Sequence, residues 1–273
     1  MNRPTIGLAL SGGTAKSVAH VGVLEAIEEA GLQVDYLTGT SGGAIVASIY
    51  AAGYSVQELK EVARNLRWKH LARLTFPRLG LLANSGVEHF VNDLLGEVDF
   101  NRLKIPLAVV ATDLLTGNKV VFREGSVAKA VMISTTIPNV FEPVEADGTL
   151  YVDGGLTEYL PVETMLDTFR PDVVIGVNLG HREAKLTRPR HLLHVAMAVT
   201  GIAARQNAML SETKADVLIR PPAARFPSFD LVASEELIEV GYKAAKQRIP
   251  DILNALERKE PGWLDRIKFW SKE

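Results

Sequence analysis

The 273-residue sequence contains no cysteine, which excludes disulfide bonds, thiolate catalysis and cysteine-ligated metals. It also lacks an excess of charge of either sign, because 30 basic and 32 acidic residues leave a formal net charge of -2. This balance gives no overall basic field, so we expect no nucleic-acid partner. No signal-peptide pattern opens the chain, since Pro4 interrupts the first apolar stretch, and a cytoplasmic location is expected.

Long apolar runs, internal repeats and low-complexity linkers are also missing. The longest uncharged stretch, residues 36–57, is long enough to raise the question of a membrane span. Its glycines, serines and threonines instead favour a strand, a turn and a slim helix. We expect a core over residues 5–180 and a C-terminal helical extension over residues 181–273, packed on that core in one domain.

Short apolar runs with the length of buried strands recur along the chain and alternate with helical patterns. Predicted helices run from Val18 to Ala30 and from a Ser55 cap to Leu66, the second with Glu58 placed for a capping box. The predicted strands are Ile6 to Leu10, Leu107 to Ala111, Lys119 to Phe122, Val173 to Val177 and Val217 to Ile219. This alternation predicts an α/β fold with a mainly parallel central sheet and helices on both faces.

A glycine-rich turn, residues 11–17 (SGGTAKS), follows the first predicted strand and precedes a helix. Backbone N–H groups in such a turn, together with the helix N-terminus, form an anion site. The turn meets neither the dinucleotide fingerprint nor the P-loop fingerprint, so nucleotide binding has no specific signal. The developing oxyanion of an ester under attack needs only two correctly aimed N–H groups, and it remains a candidate.

A second glycine-rich turn lies in residues 37–46 (LTGTSGGAIV), where Gly39-Thr40-Ser41-Gly42-Gly43 matches G-x-S-x-G. The match falls at a predicted strand-to-helix junction, which is the context of a nucleophile elbow. Ser41 is therefore a candidate nucleophile. The alternative is an ordinary turn between a strand and a helix.

A serine nucleophile needs a base within hydrogen-bond reach. Asp153 ends a short strand in LYVDGGL, where Gly154 and Gly155 let the backbone turn. Its carboxylate can take the proton directly if burial raises its pKa towards the working pH. A histidine base is the alternative, and the hydrolase chain order selects the last three of His20, His70, His89, His181, His191 and His194.

Five ordered blocks between about Gly7 and Val162 resemble the patatin-like phospholipase family. They are GLALSGGTAKSVAHVGVLEAIEEAG, GTSGGA, ATDLLTG, STTIPNVFEPV and DGG followed by LPV. The resemblance implies a three-layer α/β sandwich. It also implies hydrolysis of lipid acyl esters, of phospholipase A or lysophospholipase type, without a metal or cofactor.

By the same resemblance, Ser41 is the nucleophile and Asp153 the base of a Ser–Asp dyad that uses no histidine. Lys16 stands at a supporting Arg or Lys position of the family. The oxyanion hole is expected from Gly12, Gly13, Thr14 and Gly42, and the remaining motif glycines are Gly39, Gly43, Gly154 and Gly155.

The sequence departs from the family pattern at five positions. Ser11, Thr14 and Ser17 stand where bacterial members usually carry glycine, and Glu158 and Tyr159 stand where asparagine is common. A non-glycine residue at positive φ costs about 1 kcal/mol or more. These departures leave open a catalytically weakened lipid-binding or regulatory protein.

Three segments are candidate lipid contacts, and for each the alternative is packing on the core; for residues 261–273, packing on the core or on another subunit is favoured. Residues 64–82 carry five basic residues and no acid, interleaved with Trp68 and Phe76, and residues 226–232 and 261–273 are rich in apolar side chains. We expect lipid acyl esters as partners and transient contact with the inner face of a membrane. Acyl transfer to an acceptor other than water would use the same residues, and the oligomeric state has no signal.

Overall fold

A computed structural model describes residues 3–71, 73–74, 80, 82–180, 188–227 and 231–260, with the backbone alone at 69, 70, 73 and 74. The strands are β1 (Ile6–Leu10), β2 (Tyr36–Thr40), β3 (Arg73–Leu74), β4 (Leu82–Ala83), β5 (Leu107–Asp113), β6 (Lys119–Phe122), β7 (Val144–Ala146), β8 (Thr149–Asp153), β9 (Val173–Val177) and β10 (Val217–Ile219). The α-helices are α1 (Ala19–Glu29), α2 (Gly42–Ala51), α3 (Val56–Asn65), α4 (Trp68–Leu71), α5 (Ser85–Leu95), α6 (Val127–Ser134), α7 (Gly155–Glu158), α8 (Val162–Thr168), α9 (Leu192–Glu212) and α10 (Ser234–Lys259). Short 3-10 helices cover Thr14–Val18, Phe100–Arg102 and Ala223–Arg225.

Within the described residues, one mixed sheet has the order β10, β9, β1, β2, β5, β8, β7, and β6 also pairs with β5. The strands from β10 to β5 are parallel to one another. The pairs β5–β6, β5–β8 and β7–β8 are antiparallel. The predicted α/β fold is confirmed, and the expected parallel arrangement holds for the first five strands in this order.

Alternating side chains of β1 enter two different cores because successive residues of a strand point to opposite faces. The larger side chains of Ile6–Leu10, at the even-numbered positions, join a core with α1, α2 and α10. Ala9 joins a smaller core on the other face with Val162 and Met165 of α8. Helices therefore cover both faces of the sheet and make three layers.

Local sequence signals place several elements with the bounds predicted above. The predicted strands at β1, β6, β9 and β10 begin and end as expected, whereas β5 continues to Asp113. The capping box is confirmed, because the Glu58 N–H donates to the Ser55 hydroxyl at 3.3 Å and the Ser55 N–H donates to the Glu58 carboxylate at 2.8 Å.

Residues 36–57 fold into β2, α2 and the start of α3 rather than one continuous helix. No helix in the described ranges combines the length and the apolar character needed to cross a membrane. The C-terminal region also contacts the core, because β10 pairs with β9 and α10 packs along α1. The division between residues 180 and 181 stays a prediction.

Candidate active site

Ser41 occupies a sharp turn between β2 and α2, with φ 53° and ψ -128°. This backbone conformation is strained for a residue with a side chain and is typical of a nucleophile elbow. A Cβ built on Gly43 would lie 2.4 Å from the carbonyl oxygens of Leu10 and Ser11, so only glycine lets α2 begin so close to β1. The predicted strand-to-helix turn is therefore present, with Ser41 buried at its apex.

Asp153 reaches Ser41 through the register of the sheet. On one edge of β5, Thr40 of β2 pairs with Val110 and Asp153 of β8 pairs with Ala111. β6 occupies the opposite edge over the same residues of β5, so β2 and β8 lie end to end on one edge. The Ser41 hydroxyl consequently lies near enough to the Asp153 carboxylate to favour its ionised form.

The Asp153 carboxylate is buried, and burial raises its pKa to about 6. Hydrogen bonds from the Ser41 hydroxyl and the Gly155 N–H oppose this rise, the second with a length of 2.7 Å. A carboxylate with this pKa is largely ionised at neutral pH and is still basic enough to accept a proton. The electrostatics suit a general base.

The backbone of Ser41 is fixed by a serine that the sequence did not single out. The Ser41 N–H donates to Ser134 Oγ at 2.8 Å, and Ser134 Oγ donates to the Val110 carbonyl oxygen at 2.6 Å. Ser134 is the last residue of α6 and the first of the STTIPN block. A polar residue at the end of a buried apolar helix was the one sequence feature that could have indicated its role. The Ser41 N–H is therefore occupied by a structural bond.

The glycine turn after β1 supplies unpaired backbone donors close to Ser41. The N–H groups of Gly13, Thr14 and Gly42 have no hydrogen-bond acceptor in the part of the chain that the structure describes. They begin the 3-10 helix that leads into α1 and the helix α2, where the backbone carries partial positive charge. These three groups are the available donors for an oxyanion.

Gly12 requires a correction to the expected oxyanion hole. Its N–H donates to the Tyr159 carbonyl oxygen at 3.0 Å and is not free to bind a substrate. The close contact between this turn and Tyr159 explains the glycine, since a Cβ on Gly12 would lie 2.8 Å from the Tyr159 ring. Gly12 therefore joins two loops, and its N–H is not a candidate oxyanion donor.

Of the three residues that replace family glycines in this region, only Thr14 adopts a positive φ, at 53°. Ser11 is buried, and its hydroxyl accepts the Leu179 N–H at 2.9 Å. Ser17 is also buried, and its Oγ would lie 2.2 Å from a Cβ built on Gly42. The free-energy cost of a non-glycine residue at positive φ therefore applies to Thr14 and not to Ser11 or Ser17.

The predicted supporting residue Lys16 is partly buried, and this burial lowers the pKa of its ammonium group. No carboxylate of the described residues forms an ion pair with it. Its role as a support of the glycine turn stays a prediction.

Tyr159 and Asn207 hold the turn that follows Asp153, and neither was a candidate site residue in the sequence. The Tyr159 N–H donates to Asn207 Oδ1 at 2.8 Å. Asn207 Nδ2 donates to the carbonyl oxygens of Gly155 and Leu156 at 2.8 and 3.1 Å. A side chain of α9 thus fixes the short helix α7 beside the Asp153 carboxylate.

Glu158, the other departure after the DGG turn, is a buried structural residue. Its carboxylate accepts the Thr164 N–H at 3.0 Å and pairs with the Lys119 ammonium at 3.0 Å. Its carbonyl oxygen accepts the Thr40 hydroxyl at 2.8 Å. Glu158 therefore connects β2, β6 and α8 through its hydrogen bonds and ion pair.

An apolar pocket with a cavity volume of about 80 Å³ has Ser41 in its lining. Its polar lining includes Thr14, Ser17 and Asn84, and its apolar lining includes Leu66, Trp68, Leu71, Val87, Ile137, Phe141 and Leu231. Such a pocket suits an apolar chain attached to a reacting carbonyl group.

Trp68 lies inside the basic segment considered for membrane contact, yet it lines this pocket. Much of that segment (residues 72, 75–79 and 81) and all of residues 261–273 lie outside the described residues, as do residues 228–230 of the 226–232 segment. Their assignment to lipid contact stays a prediction.

Histidine has no contact with the Ser–Asp pair among the described side chains. His20 is buried, its Nε2 lies 2.9 Å from the Ser11 carbonyl oxygen, and burial lowers its pKa to about 4. His191 and His194 are exposed and stack on each other with ring centroids 3.7 Å apart. His181 and the side chain of His70 lie outside the described residues.

Among the described residues, no cluster of three or more acidic or histidine side chains is arranged to hold a metal.

An elbow serine beside a buried carboxylate, on a sheet covered by helices on both faces, is the arrangement of an α/β serine hydrolase. The family model for patatin-like phospholipase matches residues 8–166. Since this match covers more than half of the chain, the chain belongs to the patatin-like phospholipase family, a class of lipid esterases. The resemblance carried by the five sequence blocks is confirmed.

Relatives of the chain include proteins of bacteria and animals. The NTE family protein Rv1063c of Mycobacterium tuberculosis is 36% identical over 184 residues, which are 66% of this chain and 51% of that protein. Human patatin-like phospholipase domain-containing protein 6 is 24% identical over 89% of this chain and 20% of its own length. The chain therefore spans about half the length of the mycobacterial relative.

The fold is similar to that of a solved bacterial protein. The crystal structure of VipD from Legionella pneumophila matches with a TM-score of 0.59, covering 95% of this chain and 67% of VipD. At 14% sequence identity the similarity concerns the fold alone.

Proposed function

We propose that this chain is a serine acyl-ester hydrolase of lipids, of phospholipase A or lysophospholipase type, that works through a Ser41–Asp153 dyad. The meeting of Ser41 with the buried Asp153 carboxylate at the ends of β2 and β8, next to an apolar pocket, carries this proposal. Because a serine hydroxyl is a weak nucleophile at neutral pH, a base already in contact with it meets the main requirement of the chemistry.

In the first half-reaction, Asp153 takes the proton of the Ser41 hydroxyl while Oγ attacks the ester carbonyl carbon. The electron pair of the carbonyl double bond moves to its oxygen, which is stabilised by the N–H groups of Gly13, Thr14 and Gly42. When the tetrahedral intermediate collapses, the carbon–oxygen bond to the leaving alcohol breaks. The alcohol takes the proton from Asp153, and the acyl group stays on Ser41.

In the second half-reaction, a water molecule gives a proton to Asp153 and attacks the acyl carbon. The resulting intermediate releases Ser41 as the leaving group, and Asp153 returns the proton to its oxygen. The product is a free carboxylic acid. If another alcohol replaced water in this step, the same residues would perform acyl transfer.

The apolar pocket supports the proposal that the protein binds the acyl chain of its substrate there. Its lining is apolar at most positions, and burial of each methylene of a bound chain is favourable by roughly 0.8 kcal/mol. A substrate of this kind is concentrated in membranes. We therefore include transient contact of the protein with the inner face of a membrane in the proposal.

A catalytically weakened lipid-binding protein is the second candidate, and the backbone of Thr14 favours it. A β-branched residue at positive φ costs about 1–2 kcal/mol, and it lies at one of the proposed oxyanion donors. A misaimed donor would lower the rate by about 100-fold or more. This candidate predicts lipid binding with little turnover.

A fluorophosphonate probe combined with mass spectrometry of lipid products separates the two candidates. The wild-type protein is expected to be labelled at Ser41 and to release fatty acids from phospholipid or lysophospholipid. Ser41→Ala should show neither labelling nor release, and Asp153→Asn should lose most of both. Ser48→Ala is a matched control, because Ser48 is also buried in this region but its hydroxyl bonds only to the Ile45 carbonyl oxygen, at 2.9 Å. Full lipid hydrolysis by Ser41→Ala would refute the proposal, and an unlabelled wild-type protein would favour the second candidate.

A further inference from the structure

Helix α9 presents an apolar stripe to solvent. We define the α9 stripe as Leu192, Val195, Val199, Ile202 and Leu210, whose relative exposures are 84%, 46%, 61%, 40% and 71%. At 100° per residue these positions fall within roughly 80° of the helix circumference. The surface side of a helix in a water-soluble protein normally carries polar and charged residues, so this stripe marks an interaction surface.

The accessible charged residues of α9 and of the segment just before it are arginines, because Glu212, the last residue of α9, is buried and pairs with Arg220. From Arg188 to Ser211 the sequence contains three arginines and no aspartate or glutamate. Arg188 and Arg190 are exposed just before the first turn of α9, next to the most exposed residue of the stripe, Leu192. An apolar helical face with cations at its end is complementary to an anionic lipid surface, where side chains enter the acyl boundary and arginines meet headgroups.

The same helix is tied to the proposed catalytic dyad. Asn207 of α9 holds the carbonyl oxygens of Gly155 and Leu156 and the N–H of Tyr159, as described above. The Gly155 N–H donates in turn to the Asp153 carboxylate at 2.7 Å. A surface bound by α9 is therefore linked to the proposed general base through hydrogen bonds of Asn207 and Gly155.

We propose that the α9 stripe, together with Arg188 and Arg190, is the surface by which this protein binds an anionic phospholipid bilayer. The inference rests on the proposed function, because a lipid hydrolase has to reach substrate at a membrane surface. The stripe lies in the bilayer interface, and the arginines contact phosphate-bearing headgroups.

The test measures sedimentation of the full chain with vesicles of phosphatidylcholine and phosphatidylglycerol in equal parts, and with vesicles of phosphatidylcholine alone. Hydrolysis of a soluble short-chain ester is measured in parallel, because it needs the catalytic dyad but no bilayer. The variants are Val199→Asp and the double variant Arg188→Ala, Arg190→Ala. Their matched controls are Leu115→Asp, exposed in the turn between β5 and β6, and the double variant Lys243→Ala, Arg248→Ala, which changes the net charge equally on α10.

We expect the wild-type protein to bind the mixed vesicles and to lose this binding at high salt. Val199→Asp should weaken binding by tenfold or more, and removal of the two arginines should weaken it by roughly 25-fold, or about fivefold for each. The controls should bind as the wild-type protein does, and all four variants should keep the soluble-ester activity.

Other outcomes would overturn the docking proposal. Absence of vesicle binding by an active wild-type protein would do so, as would equal loss of binding in variants and controls. A dimer in light scattering that Val199→Asp converts to monomer would assign the stripe to a second copy of the chain instead. Vesicle binding by a wild-type protein that hydrolyses no ester would support the docking surface while overturning the proposed function.

Discussion

Ser41 and Asp153 meet because β2, which ends one residue before Ser41, and β8, which ends at Asp153, lie end to end on one edge of β5. The last residue of β2 and the last residue of β8 pair with neighbouring residues of β5, Val110 and Ala111. The relative position of the proposed nucleophile and base is thus set by backbone hydrogen bonds of the sheet. Rigid elements hold a reactive geometry more closely than mobile loops do.

The pKa of Asp153 predicts the pH dependence of ester hydrolysis. The base has to be ionised, and burial raises its pKa to about 6. We expect kcat/KM for a soluble ester to fall as the pH decreases through about 6 and to be level above about 7. A rate profile between pH 4 and 9 checks this. A midpoint near pH 4, as for an exposed carboxylate, would contradict the assignment of Asp153.

The same group predicts a stability that changes with pH in the opposite direction. Because the folded-state pKa of Asp153 lies above its ordinary value of 3.8, protonation stabilises the fold. This stabilisation is fully present below about pH 4 and is lost as the pH rises through about 6. Asp153→Asn keeps the shape without the charge, so it should be inactive yet more stable than the wild-type protein at pH 8, by about 1–3 kcal/mol. Urea unfolding at pH 8 and at pH 5 measures the gain, which should be smaller at pH 5; a loss of stability at pH 8 would count against the burial argument.

Gly42 and Ser17 form a tightly packed pair beside Ser41. A Cβ on Gly42 would lie 2.2 Å from Ser17 Oγ, so Gly42→Ala should displace the proposed oxyanion donor and lower kcat by about 100-fold. The double variant Gly42→Ala, Ser17→Gly should recover part of the loss, since the blocking hydroxyl is gone. Gly201→Ala is the control, because a Cβ there meets nothing within 4 Å. Equal activity of the single and double variants would show that the contact with Ser17 is not the cause.

Thr14 carries the one strained backbone among the residues that replace family glycines in the oxyanion turn. Thr14→Gly should stabilise the protein by about 1 kcal/mol, because glycine adopts positive φ without steric cost. Esterase activity should be at least retained. Thr213→Gly serves as the control, because Thr213 has a φ of -71° and should lose stability on the same change. A lower melting temperature for Thr14→Gly would contradict the strain assigned to this turn.

Ser134 is expected to position the proposed nucleophile, Ser41. Ser134→Ala leaves the buried Ser41 N–H and the Val110 carbonyl oxygen without their shared partner, at a cost of about 1–3 kcal/mol. We expect kcat to fall while KM changes little, since the pocket lining is unaltered. Steady-state kinetics beside Ser48→Ala test this split. An unchanged kcat would mean that the elbow is held without Ser134.

Local sequence patterns predicted the parts of the site that depend on neighbouring residues. The turn at Ser41, the strand ending at Asp153 and the glycine turn after β1 all follow from glycines next to short apolar runs. The register that joins Asp153 to Ser41 depends on β5, from which neither residue comes. The family resemblance, rather than periodicity, supplied that pairing.

The incorrect and missing site predictions share one cause: they depend on contacts between residues far apart in the sequence. Gly12 was wrong as an oxyanion donor because the acceptor of its N–H, the Tyr159 carbonyl oxygen, comes from a turn late in the chain. Ser134 and Asn207 were not predicted, because their importance lies in the backbone groups that they contact. A polar residue at the end of an apolar helix is a weak signal without those contacts.

The end-to-end placement of β2 and β8 also sets an order of events during protein synthesis. Ser41 is synthesised more than a hundred residues before Asp153, and the part of the β5 edge that β8 occupies has no partner until the β7–β8 hairpin has been made. A nascent chain that stops short of this hairpin carries Ser41 without Asp153. If the proposed dyad acts as described, such unfinished copies cannot hydrolyse the lipids around them, and the pair is complete only when most of the sheet has formed.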